Sequence, residues 1–397
     1  MSSVNLGMPG APSSFHVLAK PTGAICNLDC TYCFYLEKEE LYAGSEFRMG
    51  DDVLRQYLSQ LLGPYSGPEV TVSWQGGEPT LMGVDFFRRV VALVEELRRP
   101  RQRVEHTIQT NATLIDDEWA AFLAEADVLV GVSVDGPREV HDAYRVDKGG
   151  KSTFDRVMRG LERLRAHGVR WNALTTVNRA NESRGLEVYR FLRDEAGADF
   201  MQFIPIVERD DDVVSAVSVT PDGYGRFLIE VFDEWVRRDV GDVFVQMFES
   251  TLASFVGVPG SLCVHSETCG TSVALEHTGD VYSCDHFVSP EHLLGNVRSA
   301  QLVDLVVSPQ QRAFGLAKRD GLPAQCRSCS VRFACHGGCP KDRFTPSVDG
   351  EDGLNYLCPS FLAYFGHVDL PMRHMAASLR AGGDVGRVMR WVATQDS

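Results

Sequence analysis

The stretch CNLDCTYCFY, residues 26–35, places Cys26, Cys30 and Cys33 within eight residues. It follows FHVLAKP (15–21), an alternating run that predicts a strand leading directly into the cysteine loop. A four-iron cluster usually takes four thiolates, so three thiolates leave one iron without a protein ligand. An open position on a metal is typical of catalytic sites. Zinc or a solvent-exposed redox pair are the alternatives, but zinc needs a fourth ligand and no histidine lies near this loop.

The same order of strand, polar cluster and helix repeats from about residue 15 to residue 207. Six runs predict strands that each end at a polar or glycine-rich cluster: FHVLAKP, VTVSW, VEHTI, VLVGVSV, VRWNALTTV and FMQFIPI. Amphipathic helix patterns lie between them, as in DDVLRQYLSQLLG (51–63). This alternation predicts an α/β fold, a partial (β/α)6 TIM-type barrel. Since loops after the strands build the active site of such folds, the cysteines and QGGEP (75–79) are expected to face one cavity.

Composition and charge limit the classes of function. The chain has 397 residues, 44% of them hydrophobic, and a net charge of −15, which argues against general binding of nucleic acid or anionic membranes. We find no apolar run long enough for a membrane span and no basic start followed by an apolar stretch, so a cytoplasmic location is expected. Eleven cysteines in a reducing compartment favour metal or redox chemistry over disulfides.

The rhythm of the sequence changes after about residue 240, where Cys, Gly and Ser become frequent and long helical patterns become rare. We therefore predict four segments. They are a flexible N-terminus (1–14), the partial barrel (15–240), a loop-rich domain held by its cysteines (241–362) and a helical tail (363–397).

The cysteine loop at the end of the first strand, with its aromatic neighbours, resembles that of the radical SAM (S-adenosylmethionine) enzymes. In that family the open iron binds the methionine part of SAM, and reduction yields a 5′-deoxyadenosyl radical. Glycines in QGGEP let the backbone approach a ligand, and an arginine offers a fork for a carboxylate, although a plain turn and an exposed salt bridge would explain these residues alone. The resemblance implies SAM contacts at Tyr32, Gly77, Glu78, Ser133, Arg145 and Ile206.

The other eight cysteines are enough for two complete sets of four. They are Cys263, Cys269, Cys284, Cys326, Cys329, Cys335, Cys339 and Cys358. Closed four-thiolate clusters suit electron transfer. A four-thiolate zinc site built from the last C-x-x-C and C-x-x-x-C pairs is the alternative, but the gap between those pairs is much shorter than in zinc ribbons.

The spacing of these cysteines resembles the SPASM domain of radical SAM peptide modifiers. Spacing alone does not sort the eight into sets. The resemblance implies a first auxiliary cluster on Cys263, Cys269, Cys284 and Cys339. It implies a second on Cys326, Cys329, Cys335 and Cys358. With the N-terminal loop, the expected cofactors are three [4Fe–4S] clusters and SAM.

Asp285 stands next to Cys284 in DVYSCDHFV, where a desolvated carboxylate could accept a proton. A turn aspartate that caps its own backbone is the alternative. The chain as a whole resembles the anaerobic sulfatase-maturating enzymes in CNLDCTYCFY, SWQGGEPTL, QTNAT, GVSVDGP, QFIPIVE, GDVYSCDHFV and CRSCSVRFACHGGCP. These enzymes oxidise one Cys or Ser of a sulfatase to Cα-formylglycine. The resemblance implies that Asp285 is the general base and that Tyr35 and Gln75 contact the peptide.

The same resemblance implies the partners and exposes one departure. The expected partners are an unfolded sulfatase with a Cys/Ser-x-Pro-x-Arg segment and an electron donor such as flavodoxin or ferredoxin, without nucleic acid or membrane. Ala112 stands where the family commonly has glycine, which we expect to tighten the backbone after Asn111. We expect His286, beside the base, to be a packing residue.

Two other functions compete with this interpretation. A radical SAM/SPASM enzyme that crosslinks a ribosomal peptide would share the clusters, but such enzymes often carry an N-terminal recognition domain, and here only some 14 residues precede the first strand. Asp285 also favours the maturase. A non-enzymatic iron–sulfur or zinc protein would leave QGGEP and the three-cysteine loop unexplained.

Overall fold

The computed structural model of the chain describes residues 15–63 and 67–395, so the segment predicted as a flexible N-terminus lies outside the described residues. The strands are β1 (His16–Lys20), β2 (Glu69–Trp74), β3 (Arg103–Thr110), β4 (Leu129–Ser133), β5 (Trp171–Val177), β6 (Phe200–Pro205), β7 (Arg209–Asp210), β8 (Val213–Val214), β9 (Phe244–Val245), β10 (Ser272–Glu276), β11 (Asp280–Tyr282) and β12 (Leu293–Asn296). The six strands predicted from the alternating pattern are confirmed as β1 to β6.

The helices include one that lies within the predicted amphipathic segment 51–63. They are α1 (Asp51–Leu61), α2 (Val84–Leu97), α3 (Asp117–Glu125), α4 (Arg138–His141), α5 (Phe154–Ala166), α6 (Gly185–Arg190), α7 (Gly223–Arg238), α8 (Gln246–Val256), α9 (Leu302–Val306), α10 (Pro309–Asp320), α11 (Ala324–Arg327), α12 (Arg332–Cys335), α13 (Cys358–Arg380) and α14 (Arg387–Gln395). Within the described ranges, none of these helices has the length and apolar character needed to cross a membrane.

The described residues fall into two compact units, and the first contains residues 15–133 (without 64–66), 145–171 and 269–316. Its part of the sheet has the strand order β12-β11-β10-β1-β2-β3-β4. Strands β1 to β4 and β10 are parallel, β11 is antiparallel to β10, and β12 is antiparallel to β11. Strand β1 therefore lies between β2 and β10, and the loops that follow these three parallel strands meet at one edge.

An aromatic cluster anchors the outer face of this sheet. Side chains alternate between the two faces of a strand, so Val72 and Trp74 of β2 share the face that the helices cover. The Trp74 ring packs edge-on against Tyr57 of α1 at 6.0 Å and against Phe86 and Phe87 of α2 at 5.7 and 5.8 Å. Ala19 of β1 lies opposite Trp74, so Lys20 projects from the other face, where it forms part of the site described below.

The second unit contains residues 134–144, 172–268 and 317–395. It holds β6 and β9 with most of β5, all parallel, and its core is built from α7, α8 and α13. Phe248 of α8 lies 5.2 Å from Phe232 of α7 and 6.1 Å from Tyr364 of α13, measured between ring centroids. Helix α13 includes part of the predicted helical tail and contains Pro371 in its interior.

Two glycines inside helices offer a matched test of packing in this fold. An added Cβ at Gly160 of α5 would lie 2.1 Å from the carbonyl oxygen of Ala112, whereas Gly366 of α13 has nothing within 4 Å. We expect Gly160→Ala to lower the free energy of unfolding by about 1–3 kcal/mol through overpacking. Gly366→Ala should raise it by about 0.5–1 kcal/mol, because alanine is the better helix former. Urea denaturation of both variants checks this, and equal shifts would contradict the packing described here.

Candidate active site

The three N-terminal cysteines lie in the loop that follows β1, and all three are half-buried. The Leu28 amide donates to Cys26 Sγ at 3.3 Å, and the Cys33 amide donates to the Cys30 carbonyl at 2.9 Å. Burial raises the pKa of Cys26 to about 12, and the charges of Glu78, Cys30 and Cys33 act in the same direction. A thiol that resists deprotonation on its own suits a site in which a metal cluster stabilises the thiolate.

Gly77 brings the loop after β2 into direct contact with the cysteine loop. Its amide donates to the Gly23 carbonyl at 2.8 Å, and an added Cβ would lie 2.0 Å from the Ile25 carbonyl oxygen. No side chain fits in this space, which explains glycine at this position by packing alone. The assignment of Gly77 as a SAM contact stays a prediction.

The carboxylate of Glu78 is fully buried and joins two loops. Its Oε1 accepts hydrogen bonds from the Thr80 amide, the Thr80 hydroxyl and the Thr110 hydroxyl, at 2.9, 2.7 and 2.8 Å. Its Oε2 accepts from the Asn111 amide at 2.7 Å. Burial raises the pKa of Glu78, and these hydrogen bonds act against that rise. The carboxylate therefore fixes the loops after β2 and β3 against each other, whatever further role it has toward SAM.

Asn111 carries this order on to the cysteine loop. Its Nδ2 donates to Asn27 Oδ1 at 2.9 Å and lies 3.7 Å from Cys26 Sγ. Ala112 has a φ of 57°, a left-handed conformation that favours glycine. The residue that departs from the family pattern therefore has a strained backbone, which is a stronger effect than the tightened backbone that we expected. Sequence reasoning quoted QTNAT but gave Asn111 no role, although its position directly after β3 was a signal.

Two further predicted SAM residues lie close together in the first unit. The Arg145 guanidinium lies 5.5 Å from the centroid of the Tyr32 ring, and Arg145 is 7% exposed. Ser133, at the end of β4, accepts a hydrogen bond from Gln109 Nε2 at 2.9 Å. A cation over an aromatic face holds both side chains in place. Ile206 belongs to the second unit, where it is buried and its amide donates to the Val177 carbonyl.

The candidate base, Asp285, lies in the loop after β11 and forms an ion pair with Lys20, through Nζ and Oδ1. The Asp285 side chain is 18% exposed, and the Lys20 side chain is 2% exposed. Burial acts to raise the pKa of Asp285, but the charges of Lys20 and His286 outweigh it and hold that pKa below its usual value. Asp285 therefore stays a carboxylate, which is the form that a base requires.

The Lys20 ammonium also contacts both residues predicted to bind the peptide. It donates to Gln75 Oε1 at 3.1 Å and lies 4.6 Å from the centroid of the Tyr35 ring. Sequence reasoning missed Lys20, because a lysine at the end of a strand gives no pattern that distinguishes it from a solvated one. His286 packs its ring 5.1 Å from that of Phe34, as expected, and also contributes charge beside the base.

Of the remaining cysteines, four in the second unit line one cavity, together with Gly337 and Phe361. They are Cys326, Cys329, Cys335 and Cys358, the set that the resemblance assigns to the second auxiliary cluster. Burial raises the pKa of Cys335 to about 12 and of Cys358 to about 11, and charges of neighbouring thiolates add to both shifts. Four thiols around one cavity are the donor set of a closed cubane. Within the described ranges, no group of three or more His, Cys, Asp or Glu side chains is arranged to hold a single metal ion.

The predicted ligands of the first auxiliary cluster divide between the two units. Cys263 and Cys339 belong to the second unit, and Cys269 and Cys284 to the first. Within the first unit, Gln311 of α10 joins the loops of the latter pair, because its Nε2 donates to the carbonyls of Gly270 and Ser283 at 3.1 and 3.0 Å.

Comparison with known families defines the class of this protein. The family model described as the Radical SAM superfamily matches residues 21–192, and the SPASM model, an iron-sulfur cluster-binding domain, matches residues 263–330. The first span contains the three-cysteine loop, and the second contains five of the other eight cysteines. The chain is therefore a radical SAM enzyme with a SPASM domain, and its α/β fold with a mixed sheet fits the predicted partial barrel.

The relatives narrow this class to one family. The chain is 42% identical to the serine-type anaerobic sulfatase-maturating enzyme of Bacteroides thetaiotaomicron, over 92% of each chain. It is 31% identical to the cysteine-type enzyme of Clostridium novyi, over 89% of this chain and 94% of the relative. The solved structure of native anSMEcpe with bound AdoMet and Cp18Cys peptide matches with a TM-score of 0.83 and 30% identity, over 92% of this chain and 99% of that one. This chain belongs to the anaerobic sulfatase-maturating enzymes.

The buried hub at Glu78 can be tested by one isosteric substitution. Glu78→Gln replaces an acceptor oxygen by an amide that faces donors, so we expect a loss of about 1–3 kcal/mol in the free energy of unfolding. Glu69→Gln, at the exposed start of β2, is the matched control and should change little. Anaerobic thermal unfolding of both variants measures the difference. Indistinguishable midpoints would show that the four hydrogen bonds contribute nothing.

Proposed function

We propose that this enzyme oxidises one Cys or Ser of a sulfatase to Cα-formylglycine. The observation that carries the proposal is the placement of Asp285, a carboxylate beside Cys284 whose counter-ion Lys20 also contacts Gln75 and Tyr35. A base, two candidate peptide contacts and a cysteine of the predicted clusters thus lie in one unit. The names of the relatives, which include serine-type and cysteine-type maturating enzymes, support the same reaction.

The proposed cofactors are three [4Fe–4S] clusters and SAM. Cys26, Cys30 and Cys33 would hold the first cluster and leave one iron open for SAM. The remaining eight cysteines would hold the two auxiliary clusters in the sets inferred from the SPASM resemblance. Glu78, Tyr32 and Arg145, with Gly77, Ser133 and Ile206, stay our candidates for SAM contacts.

The chain's own contribution to the reaction is proton transfer and positioning. When bound, SAM and the clusters would supply the radical chemistry that activates the substrate Cβ and an acceptor for the electron that is released. Asp285 accepts the proton of the substrate thiol or hydroxyl. Serine then becomes an aldehyde directly, while cysteine becomes a thioaldehyde that water converts to the aldehyde and hydrogen sulfide.

The proposed partners follow from this chemistry. The substrate is an unfolded sulfatase segment of the form Cys/Ser-x-Pro-x-Arg, modified in the cytoplasm before or during export. A flavodoxin or ferredoxin would supply the electron that SAM cleavage requires. The acidic net charge of −15 is unfavourable for binding nucleic acid.

One anaerobic reaction tests the proposed function. Cluster-loaded protein is mixed with SAM, a strong reductant and two peptides that differ only in Cys or Ser at the target position. We expect 5′-deoxyadenosine and peptide aldehyde in matching amounts, measured by mass spectrometry. Asp285→Asn should lower aldehyde formation by about 10²-fold or more, because it removes the base. The exposed variant Asp210→Asn is the control.

The outcomes separate the alternatives. Deoxyadenosine without any change in either peptide would contradict the proposed substrate and favour the crosslinking enzymes. Full aldehyde formation by Asp285→Asn would remove Asp285 from the reaction while leaving the substrate assignment intact.

The number of clusters has its own test in metal analysis. Three four-iron clusters correspond to about twelve iron atoms per chain, and alanine at all three N-terminal cysteines should remove about four. Alanine at Cys326, Cys329, Cys335 and Cys358 should remove another four and spare SAM binding. If the protein that retains these four cysteines holds zinc in place of that iron, the assignment of the cavity is contradicted.

A further inference from the structure

The buried lysine at the end of β1 is the basis of a further inference. Lys20 is 2% exposed, and lysine is almost never fully buried unless it is paired. It is not among the predicted cluster ligands or SAM contacts. Burying an ammonium is unfavourable unless its partners are well placed, so the arrangement around it carries information about its role.

The ammonium of Lys20 is satisfied in three directions. It forms the ion pair with Asp285, donates to Gln75 Oε1 at 3.1 Å and faces the Tyr35 ring at 4.6 Å. An ammonium has three donors, so each direction has one partner. The partners come from three separate segments, namely the loop after β11, the loop after β2 and the cysteine loop.

A second set of contacts, made by residues of β10 and the residue after it, holds the Tyr35 side chain in this arrangement. The Tyr35 hydroxyl donates to Glu276, which is 1% exposed and pairs in register with Lys20 across β10 and β1. His277 Nδ1 lies 3.3 Å from Glu276 Oε2, and its Nε2 lies 2.7 Å from Ser45 Oγ. A buried network whose members are satisfied is rigid, so the Tyr35 ring cannot swing away from the ammonium.

We propose that Lys20 is a positioning residue, which holds the Asp285 carboxylate and the Gln75 amide in the single arrangement that receives the substrate side chain. The inference rests on the proposed function, in which Asp285 is the base and Gln75 contacts the peptide. Both side chains rotate freely when unpaired, and misplacing a catalytic group by about 1 Å can cost a factor of 10² in rate. One cation that binds both removes this freedom before the peptide arrives.

Lys20→Met tests the inference, because methionine has similar length and no charge. We expect the kcat of peptide oxidation to fall by about 10²-fold, while iron content stays unchanged and deoxyadenosine is still released without matching aldehyde. Lys20→Arg keeps the charge and should recover at least about a tenth of the wild-type rate. The exposed Lys148→Met controls for the loss of a lysine charge.

Two results would overturn the inference. The first is oxidation by Lys20→Met at the wild-type rate. The second is a parallel loss of iron, SAM cleavage and oxidation that Lys20→Arg does not recover, as expected of a purely structural counter-ion. If the wild-type protein oxidises neither peptide, both the proposed function and the inference are wrong. If the wild type is active, the Lys20 variants test the inference alone.

A second measurement keeps the test open if Lys20→Met does not fold. The double variant Lys20→Met/Asp285→Asn removes both charges, so no buried charge is left unpaired. Its affinity for the cysteine peptide, with SAM and without reductant, is compared with that of Asp285→Asn alone. We expect binding about five- to tenfold weaker in the double variant, because Gln75 has lost its donor. Equal affinities would overturn the inference.

Discussion

The architecture of the site depends on one buried carboxylate, that of Glu78. Without partners, burying this group would be strongly unfavourable, and four hydrogen bonds from the loops after β2 and β3 offset that cost. Asn111, whose amide is one of the donors, reaches the cysteine loop through Asn27. Gly77 provides a second contact with the cysteine loop, because its lack of a side chain lets its backbone lie directly against the backbone of that loop. The position of the cysteine loop therefore depends on the neighbouring strands, which the parallel sheet holds in register.

Charge is organised a second time around Lys20, a few residues before the cysteines. Asp285 pairs with its ammonium, and the Tyr35 ring, which faces the same ammonium, is held by a hydrogen bond from its hydroxyl to Glu276. The low dielectric of a buried site strengthens each of these interactions and makes an unpaired member costly. The pKa of Asp285 consequently lies below its usual value although the carboxylate is partly buried. The ion pair that stabilises the first unit thus also keeps its candidate base in the carboxylate form.

The sequence predicted the elements well where the hydrophobic pattern was long and periodic. Helix α1 (Asp51–Leu61) lies within the predicted DDVLRQYLSQLLG (51–63), and all six predicted strands are present. The short strands β10, β11 and β12 were missed, because three to five residues among cysteines and glycines carry too little alternation to identify a strand. The consequence was substantial, since β10 brings Glu276 opposite Lys20 and leads toward Asp285. Glu78 was foreseen only as a ligand contact, and its hydrogen bonds to neighbouring loops were not.

The sequence by itself determined the fold class, the count and spacing of the eleven cysteines and the resemblance to a family, since these are written in local order along the chain. Only the tertiary structure decided which distant residues meet. It paired Lys20 with Asp285, made Glu78 a hub and grouped Cys326, Cys329, Cys335 and Cys358 around one cavity. The physical reason is that periodicity reports the direction of a side chain from its own strand or helix. The partner it finds there depends on sheet register and loop packing, which no local pattern encodes.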